Sequence, residues 1–386
     1  MKANIKLSTL DILIVLLSTI QFPIIPNKVF LIYRYFVVAF ELIRYQKEIL
    51  RNIKIVALLS GYTVVLVFST AINTLSITWM LSALLQGMQY LVFFCVFSGF
   101  AKKRGCGAMV DLLIKIFCVL LLVNDFLTLV VSYDFSNPDE RYWVGNKFLV
   151  SYYHCFLSCL LYIKYNNSIK KLYSFVAICY TIYIAARVHC STGIIIAVVI
   201  MIMMWIPDAF KLLLQKPWVF IGALLIENVL IWGTTSIFQN PFIVNLMTNV
   251  FHKSADMTGR ARLYAVTLEL VEKSPWWGYG HNTDIYRELF GYGNAQNGLF
   301  HIVTQAGIVG AILYFCAVYA GIKKVKGDHT SRSYGLYMYI YGMLVGSAIE
   351  INLSTAFLLG VAVIYALNLD DQGMWLTTKR VMVKAK

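Results

Sequence analysis

The chain has 386 residues, of which 59% are hydrophobic, 15% aromatic and only 13% charged, and its formal net charge is +14. Soluble domains carry about 25% charged residues, so this composition excludes an ordinary soluble protein. The basic residues lie in short segments between apolar runs and not on one soluble face. We therefore predict no nucleic-acid partner.

Apolar runs follow one another along the whole chain. Backbone groups in lipid must be hydrogen-bonded within a helix or a closed barrel, and continuous runs without alternation favour helices. The predicted spans are residues 9–25, 29–43, 55–71, 77–100, 109–132, 147–163, 172–188, 190–206, 217–236, 297–322, 333–350 and 352–369. The sequence thus predicts an all-α polytopic membrane protein with about 12 transmembrane helices and one long external loop that carries short helices.

The positive charges predict the orientation of the spans. Loops on one side of the runs, together with both termini, hold 22 of the 33 lysines and arginines. The positive-inside rule assigns that side to the cytoplasm, so both termini are predicted to be cytoplasmic. Residues 1–236 then hold the first nine helices, residues 237–296 the external loop with the active site, and residues 297–386 the last three helices and a cytoplasmic tail.

The eight cysteines lie mostly inside apolar runs and form no paired motif. Such cysteines usually behave as small buried hydrophobes, so we predict neither disulfides nor a metal site. A metal-ligand cluster and a nucleotide-binding loop are both missing from the sequence, and we predict no cofactor.

The external loop contains a helical pattern over residues 260–273, which the Ser274-Pro275 step ends. The apolar residues that recur there at helical spacing are Leu263, Val266, Leu270 and Val271. This face suggests a helix that lies on the membrane surface. The same helix carries Arg260 and Arg262, whose guanidinium groups either bind phosphate or anchor the helix among lipid headgroups.

A turn-rich segment, Pro275-Trp276-Trp277-Gly278-Tyr279-Gly280, follows this helix. Its two glycines permit tight or left-handed turns. Its paired indoles either stack on the apolar faces of sugars or belong to the aromatic belt of the membrane.

The order and spacing of these elements resemble the O-antigen ligase and Wzy-type polysaccharide polymerase family over Thr258 to Phe315. That family has a Gly-Arg helix start, an aromatic residue, Pro-x-x-Gly-x-Gly, and then a helix that begins with His-Asn and continues to a glycine. The matching residues here are Gly259, Arg260, Tyr264, Pro275, Gly278, Gly280, Asn297 and Gly307.

The resemblance implies a metal-independent glycosyltransferase, a polymerase that joins oligosaccharide repeat units carried on undecaprenyl or another polyprenyl pyrophosphate. Its product would be a capsular or O-antigen-like polysaccharide, made on the outer face of the bacterial plasma (inner) membrane. The implied partners are the lipid-linked oligosaccharide, membrane lipid and other polysaccharide assembly proteins. The alternatives are a flippase or transporter of the same lipid-linked glycan, and a ligase that transfers the glycan to another acceptor.

The chain departs from the family pattern at the proposed general base. Gln296 stands where the family has a histidine, and glutamine can position a hydroxyl but cannot take its proton at neutral pH. His301 follows Asn297 by four residues and shares its helix face, and His281, Asp284 and Glu288 are further candidates. Either histidine is alternatively a polar residue near the interface. The predicted catalytic residues are Arg260, His301, Gln296, Asn297 and His281.

Charged residues within spans are costly and are therefore functional candidates. Arg34 and Arg187 either join Arg260 around a pyrophosphate or form structural ion pairs with Asp125 or Glu350. The residues predicted to bind pyrophosphate or glycan are Arg187, Arg262, Arg34, Tyr264, Trp276, Trp277, Gly278 and Gly280.

Overall fold

The computed structural model describes residues 2–131, 141–165, 171–233, 260–291, 293–323 and 333–369, and for residues 2–8, 141, 232, 233, 260–262 and 290 it describes the backbone alone. The first helices are α1 (Lys2–Leu17), α2 (Asn27–Arg44), α3 (Gln46–Arg51), α4 (Ile53–Thr74), α5 (Ile77–Arg104) and α6 (Cys106–Leu129). A short antiparallel hairpin follows, with strands β1 (Arg141–Tyr142) and β2 (Gly145–Asn146). The remaining helices are α7 (Lys147–Lys164), α8 (Lys171–Arg187), α9 (Ser191–Met203), α10 (Asp208–Leu214), α11 (Pro217–Gly233), α12 (Arg260–Lys273), α13 (Ile285–Phe290), α14 (Gly298–Ile322), α15 (Tyr334–Ser347) and α16 (Thr355–Asn368).

Each predicted span overlaps one helix, which confirms the predicted all-α membrane class, although α1 ends at Leu17 and leaves residues 18–25 of the first predicted span outside a helix. Within the described residues, only α4, α5, α6 and α14 are long and apolar enough to cross a membrane by length and composition. The pair α10 and α11, bent by 79°, makes a fifth if it counts as one span. Helices such as α9, with 13 residues, cover only about 20 Å at 1.5 Å per residue. The number of 12 spans therefore stays a prediction.

The helix ends gather in two polar layers. Short turns such as Leu75-Ser76 join successive helices, so neighbours run in opposite directions. At one end, named the site end here, Thr19 Oγ1 lies 3.2 Å from Tyr153 OH. At the opposite end, Asn52 Nδ2 donates to Ser98 Oγ at 2.9 Å. The site end collects the helix ends that the sequence predicts to be external.

An apolar core separates these two layers. In α5, Phe93, Phe94 and Phe97 are fully buried, and α5 packs against α2, α4 and α16. Helices α15 and α16 are buried along nearly their whole length. A helix that is apolar on all sides is expected at the centre of a membrane bundle.

The helix predicted in the external loop is present as α12, but its apolar face does not lie on the membrane surface. Leu263 and Leu270 are buried against Tyr286 and Phe300, and Val266 packs beside them. The prediction of a surface helix was wrong because amphipathic spacing shows only that one face is covered. Here the cover is α13 together with the start of α14.

Candidate active site

A loop after α12 is bound to a break in α14. Residues 275–280 form four backbone hydrogen bonds with residues 304–309, among them Tyr279 N–H to Thr304 O at 2.7 Å. The break lies at Gly307, whose φ of 65° and ψ of −174° are not helical. A break in a helix leaves backbone groups without their usual partners, and the loop satisfies them. We name this contact the loop joint.

The loop requires glycine at two positions, because its backbone lies very close to the backbone of neighbouring helices. Gly278 and Gly280 have φ values of 71° and 91°, in the left-handed region that glycine adopts at no steric cost. A Cβ atom on Gly278 would lie 2.5 Å from Thr304 O, and one on Gly280 would lie 2.7 Å from Thr70 Cα. The missing Cβ atom at both positions therefore allows the loop to pack inside the bundle.

The loop joint places the next residue, His281, inside the bundle. Its side chain is 8% exposed, its backbone N–H donates to Thr70 Oγ1 at 2.9 Å, and its Nε2 lies 3.1 Å from Ser82 Oγ. Burial is the larger cause and the nearby charge of Arg34 the smaller cause of a lowered pKa of His281, which is about 4. The imidazole is therefore neutral at neutral pH.

We expect the buried His281 to make the folded protein less stable in acid. Between pH 6.5 and 4 the unfolded histidine binds a proton that the folded one does not, so stability falls as the pH falls through this range. The loss is up to about 1.4 kcal/mol per pH unit, or about 3 kcal/mol in all. Thermal unfolding in detergent from pH 4 to 7.5 measures it. His281→Gln should show a shallower decline, and an equal slope in both proteins would contradict the expectation.

One face of α5 connects His281 with Arg34. Ser82, Gln86 and Gln89 follow each other at intervals of four and three residues, which places them on one side of the helix. Gln89 is buried, and its Oε1 accepts a hydrogen bond from Arg34 Nη2 at 2.5 Å. At 1.5 Å per residue, Ser82 and Gln89 are separated by about 10 Å along the helix.

A cavity of about 700 Å³ lies beside Arg34 at the site end. Its walls come from the turn between α1 and α2, from α5, from β2 with the first turns of α7, and from the turn before α16. The charged residues that line it are Arg34, Lys147 and Glu350, and the polar ones include Gln89, Asn146, Tyr152 and Asn352. It therefore offers two cations, one carboxylate and several neutral hydrogen-bonding groups to a ligand. We name it the site cavity.

Two residues of the family pattern, Tyr264 and Asn297, meet with Gln296 where α12, α14 and α15 join. Tyr264 OH donates to Gln296 O at 2.9 Å, and Gln296 Nε2 donates to Asn294 Oδ1 at 2.9 Å. Asn297 precedes α14, and its Oδ1 accepts the N–H of Phe300 at 3.0 Å. This capping bond satisfies one of the free N–H groups at the helix start. Tyr264 OH and Asn297 Nδ2 also donate to Ala348 O, at 2.8 and 3.4 Å, so these contacts join α12 and the start of α14 to the turn after α15.

The two histidines lie near each other but outside the wall of the site cavity. His301 is partly buried in the first turn of α14, close enough to His281 for the two imidazoles to interact electrostatically. Among the described residues that line the site cavity, neither histidine occurs.

The paired indoles lie on the surface. Trp276 and Trp277 are 61% and 40% exposed, and Trp277 packs edge-on against Phe68 with ring centroids 5.1 Å apart. This position fits the aromatic-belt interpretation better than a sugar subsite in the site cavity.

Of the predicted arginines, Arg34 and Arg187 have side chains that the structure describes. Arg187 is exposed at the end of α8, and the side chains of Arg260 and Arg262 lie outside the described residues. The proposed ion pair of an arginine with Asp125 is not observed, because Asp125 Oδ1 instead lies 3.1 Å from His154 Nε2. Arg34 is the predicted arginine that lines the site cavity.

Sequence reasoning did not identify Lys147, Tyr152 or Asn352, which line the site cavity. Lys147 was counted with the loop charges, and a tyrosine or asparagine near the end of a span carries no distinctive signal. Gln86 and Gln89 were recognisable, because amide side chains are unusual within an apolar run.

In a comparison with known protein families, residues 155–315 match a family model described as O-Antigen ligase. The chain carries an O-antigen ligase family domain. The resemblance seen in the sequence is thus confirmed. No curated protein sequence matches the chain significantly.

The O-antigen ligase family domain includes α12, the loop joint and both histidines. Arg34, Lys147 and Glu350 lie outside the matched residues, so the helices that flank the domain supply the charges of the site cavity. The family match and the apolar helices support a multi-pass membrane protein with an O-antigen ligase or polymerase type of function in glycan assembly.

Proposed function

We propose that the protein is a polymerase that joins polyprenyl-pyrophosphate-linked oligosaccharide repeat units into a capsular or O-antigen-like polysaccharide on the outer face of the bacterial inner membrane. The observation that carries the proposal is the site cavity, where Arg34 and Lys147 lie together with the hydroxyl-binding groups of Glu350 and Asn352. Transfer of a glycan from pyrophosphate to a hydroxyl needs both kinds of group.

The cationic part of the site cavity suits the pyrophosphate of the donor. Arg34 presents a guanidinium fork, and Lys147 adds a second positive charge in the first turn of α7. The N-terminus of that 18-residue helix also favours an anion. These groups stabilise the negative charge that develops on the departing pyrophosphate. Arg260, Arg262 and Arg187 remain proposed further phosphate ligands, and the reaction is proposed to be metal-independent.

Both substrates in this proposal are anchored in one membrane. A cavity among helices near the site end lets two lipid-linked glycans meet while their lipid chains stay in the bilayer. Holding both reactants in one geometry lowers the barrier, because the entropy of their encounter is lost on binding. The remaining requirement is a group that removes the proton of the attacking hydroxyl.

The transporter alternative requires a polar path between the two ends of the bundle. In the described part of the chain, the helix face that carries Ser82 and Gln89 continues towards the opposite end as the buried rings Phe93, Phe94 and Phe97. An aromatic core of this kind gives a glycan no hydrogen-bonding partners. The described residues therefore favour an enzyme that works at one face.

Reconstitution tests the proposed function. Purified protein in liposomes would receive lipid-linked repeat units extracted from cells that lack the protein, and the products would be sized by gel electrophoresis and mass spectrometry. We expect a ladder of lipid-linked polymers. Single units transferred to another acceptor would instead indicate a ligase, and unaltered units that cross the bilayer would indicate a transporter. Either of these results would overturn the proposal.

A further inference from the structure

A cluster of acceptor groups that belongs to no family motif lines the site cavity. Glu350 follows α15, is 7% exposed, and its Oε1 accepts the N–H of Ile351 at 3.1 Å. Asn352 and Tyr152 line the same cavity. Glu350 lies close enough to Tyr152 for its charge to act on the phenol.

Two atoms of this cluster are buried without a hydrogen-bond partner. They are the hydroxyl of Tyr152, which is 4% exposed, and Oδ1 of Asn352, which is 2% exposed. An unsatisfied buried polar group is destabilising, so such groups usually serve a ligand or a bound water. Asn352 is held in place because its Nδ2 donates to Met343 O at 2.7 Å.

The chemistry of the cluster selects a ligand rich in hydroxyl groups. A carboxylate and an amide oxygen accept hydrogen bonds, while a phenol both donates and accepts. A second phosphate would be repelled by Glu350, whereas a sugar offers several O–H donors to these acceptors. The cluster therefore suits the acceptor sugar. It lines the same cavity as Arg34 and Lys147, which suit the pyrophosphate of the donor.

We propose that Glu350 binds the attacking hydroxyl of the acceptor sugar and takes its proton, while Asn352 and Tyr152 hold the same sugar. This inference rests on the proposed transfer function and names its general base. Carboxylates perform this role in inverting glycoside hydrolysis, where they activate an oxygen that attacks an anomeric carbon.

The transfer replaces one bond to the anomeric carbon with another. The hydroxyl oxygen of the acceptor forms a bond to the anomeric carbon of the donor sugar, and its proton passes to the carboxylate of Glu350. The bond between that carbon and the pyrophosphate oxygen breaks, and its electron pair leaves with the polyprenyl pyrophosphate. The proton then returns to solvent or to the departing pyrophosphate, which regenerates the carboxylate.

The position of Glu350 distinguishes it from the other candidates for the base. Gln296 cannot take a proton, and its amide is bound to Asn294. His281 lies near Arg34 but does not line the site cavity, and its Nε2 contacts Ser82 Oγ. His281 is therefore a group that positions α5 and the loop joint in this proposal.

The test compares Glu350→Gln with Glu41→Gln. Glu41 is a matched control, because it is also a glutamate buried among the helices but does not line the site cavity. In liposomes with the extracted lipid-linked repeat units, Glu350→Gln should lower the transfer rate by about 10²–10⁴-fold. Glu41→Gln should retain transfer near the wild-type rate.

Two further measurements separate a base from a structural residue. Glu350→Gln should still bind undecaprenyl pyrophosphate, used as the binding probe, with wild-type affinity. The variant keeps Arg34 and Lys147, the two cations of the site cavity. Glu350→Ala should regain at least tenfold of its lost rate in formate, and Glu41→Ala should gain nothing. Normal transfer by Glu350→Gln, or unchanged activity of Glu350→Ala in formate, would overturn the assignment.

The outcomes also separate this inference from the proposed function. If wild-type protein transfers no repeat units, the proposed function fails and the base assignment fails with it. If wild-type protein forms polymer while Glu350→Gln does so equally well, the function stands and the base is another group.

Discussion

Replacing Arg34 with alanine will lower transfer of lipid-linked repeat units by about 10²–10³-fold, the usual loss when one preorganised charge-stabilising group is removed. The guanidinium lines the site cavity and is oriented by its hydrogen bond to the buried Gln89. Binding of undecaprenyl pyrophosphate should weaken in parallel, because the ligand loses a charged partner. Initial rates in liposomes and binding measured by native mass spectrometry provide the two readouts.

Two variants sharpen this expectation. Arg34→Lys keeps the charge but loses the fork, and should recover part of the binding and less of the rate. Arg51→Ala removes an arginine of the opposite end, which is 48% exposed and paired with Glu48, and should leave transfer unchanged. If Arg34→Ala retained full transfer, the cationic part of the site cavity would not hold the leaving group.

Gly307→Ala is expected to destabilise the protein by about 3 kcal/mol, because two effects add at this position. Its φ of 65° and ψ of −174° fall in a region that is essentially restricted to glycine. A Cβ atom there would also lie 2.1 Å from the carbonyl oxygen of Trp276, a backbone atom of the loop joint. The loop can then no longer pack against α14, and His281 loses its position.

Gly222→Ala is the matched control for this prediction. Gly222 lies within α11, and a Cβ atom there meets nothing within 4 Å. Alanine is expected to be neutral or to add about 0.5–1 kcal/mol of stability. Thermal unfolding in detergent and protease cleavage at residues 275–280 would compare the two variants. Equal stability of Gly307→Ala and wild type would show that the loop joint is not a tight contact.

The helices were predictable because hydropathy is a local property. A run of apolar residues in lipid has few alternatives to a helix, and every predicted span overlaps one. The stop at Ser274-Pro275 was also correct, since proline disfavours a helical conformation in the residue before it.

The apolar face of α12 shows where local patterns cease to inform. The spacing of Leu263 and Leu270 indicated that one side of the helix is covered. It could not indicate whether lipid or protein covers that side, because both are apolar. The contact with Phe300 depends on how α14 packs, and that packing involves residues far along the chain.

The candidate site, too, was predictable from the sequence only in part. Arg34 and Glu350 were recognisable as costly charges within spans. Their meeting in one cavity joins α2 to the turn after α15, more than 300 residues apart, and no spacing rule predicts it. The glycine motif was similarly visible in the sequence, whereas its function as a backbone contact with the broken helix α14 was not.

The amino-acid sequence alone established the membrane class, the helices and the family pattern, because composition, periodicity and motif order are written along the chain. Tertiary packing was needed to show that the loop joint fixes His281 and that distant helices enclose a charged cavity. Side-chain contacts between helices carry no local signature, since each helix buries its apolar faces against whichever neighbour the fold provides.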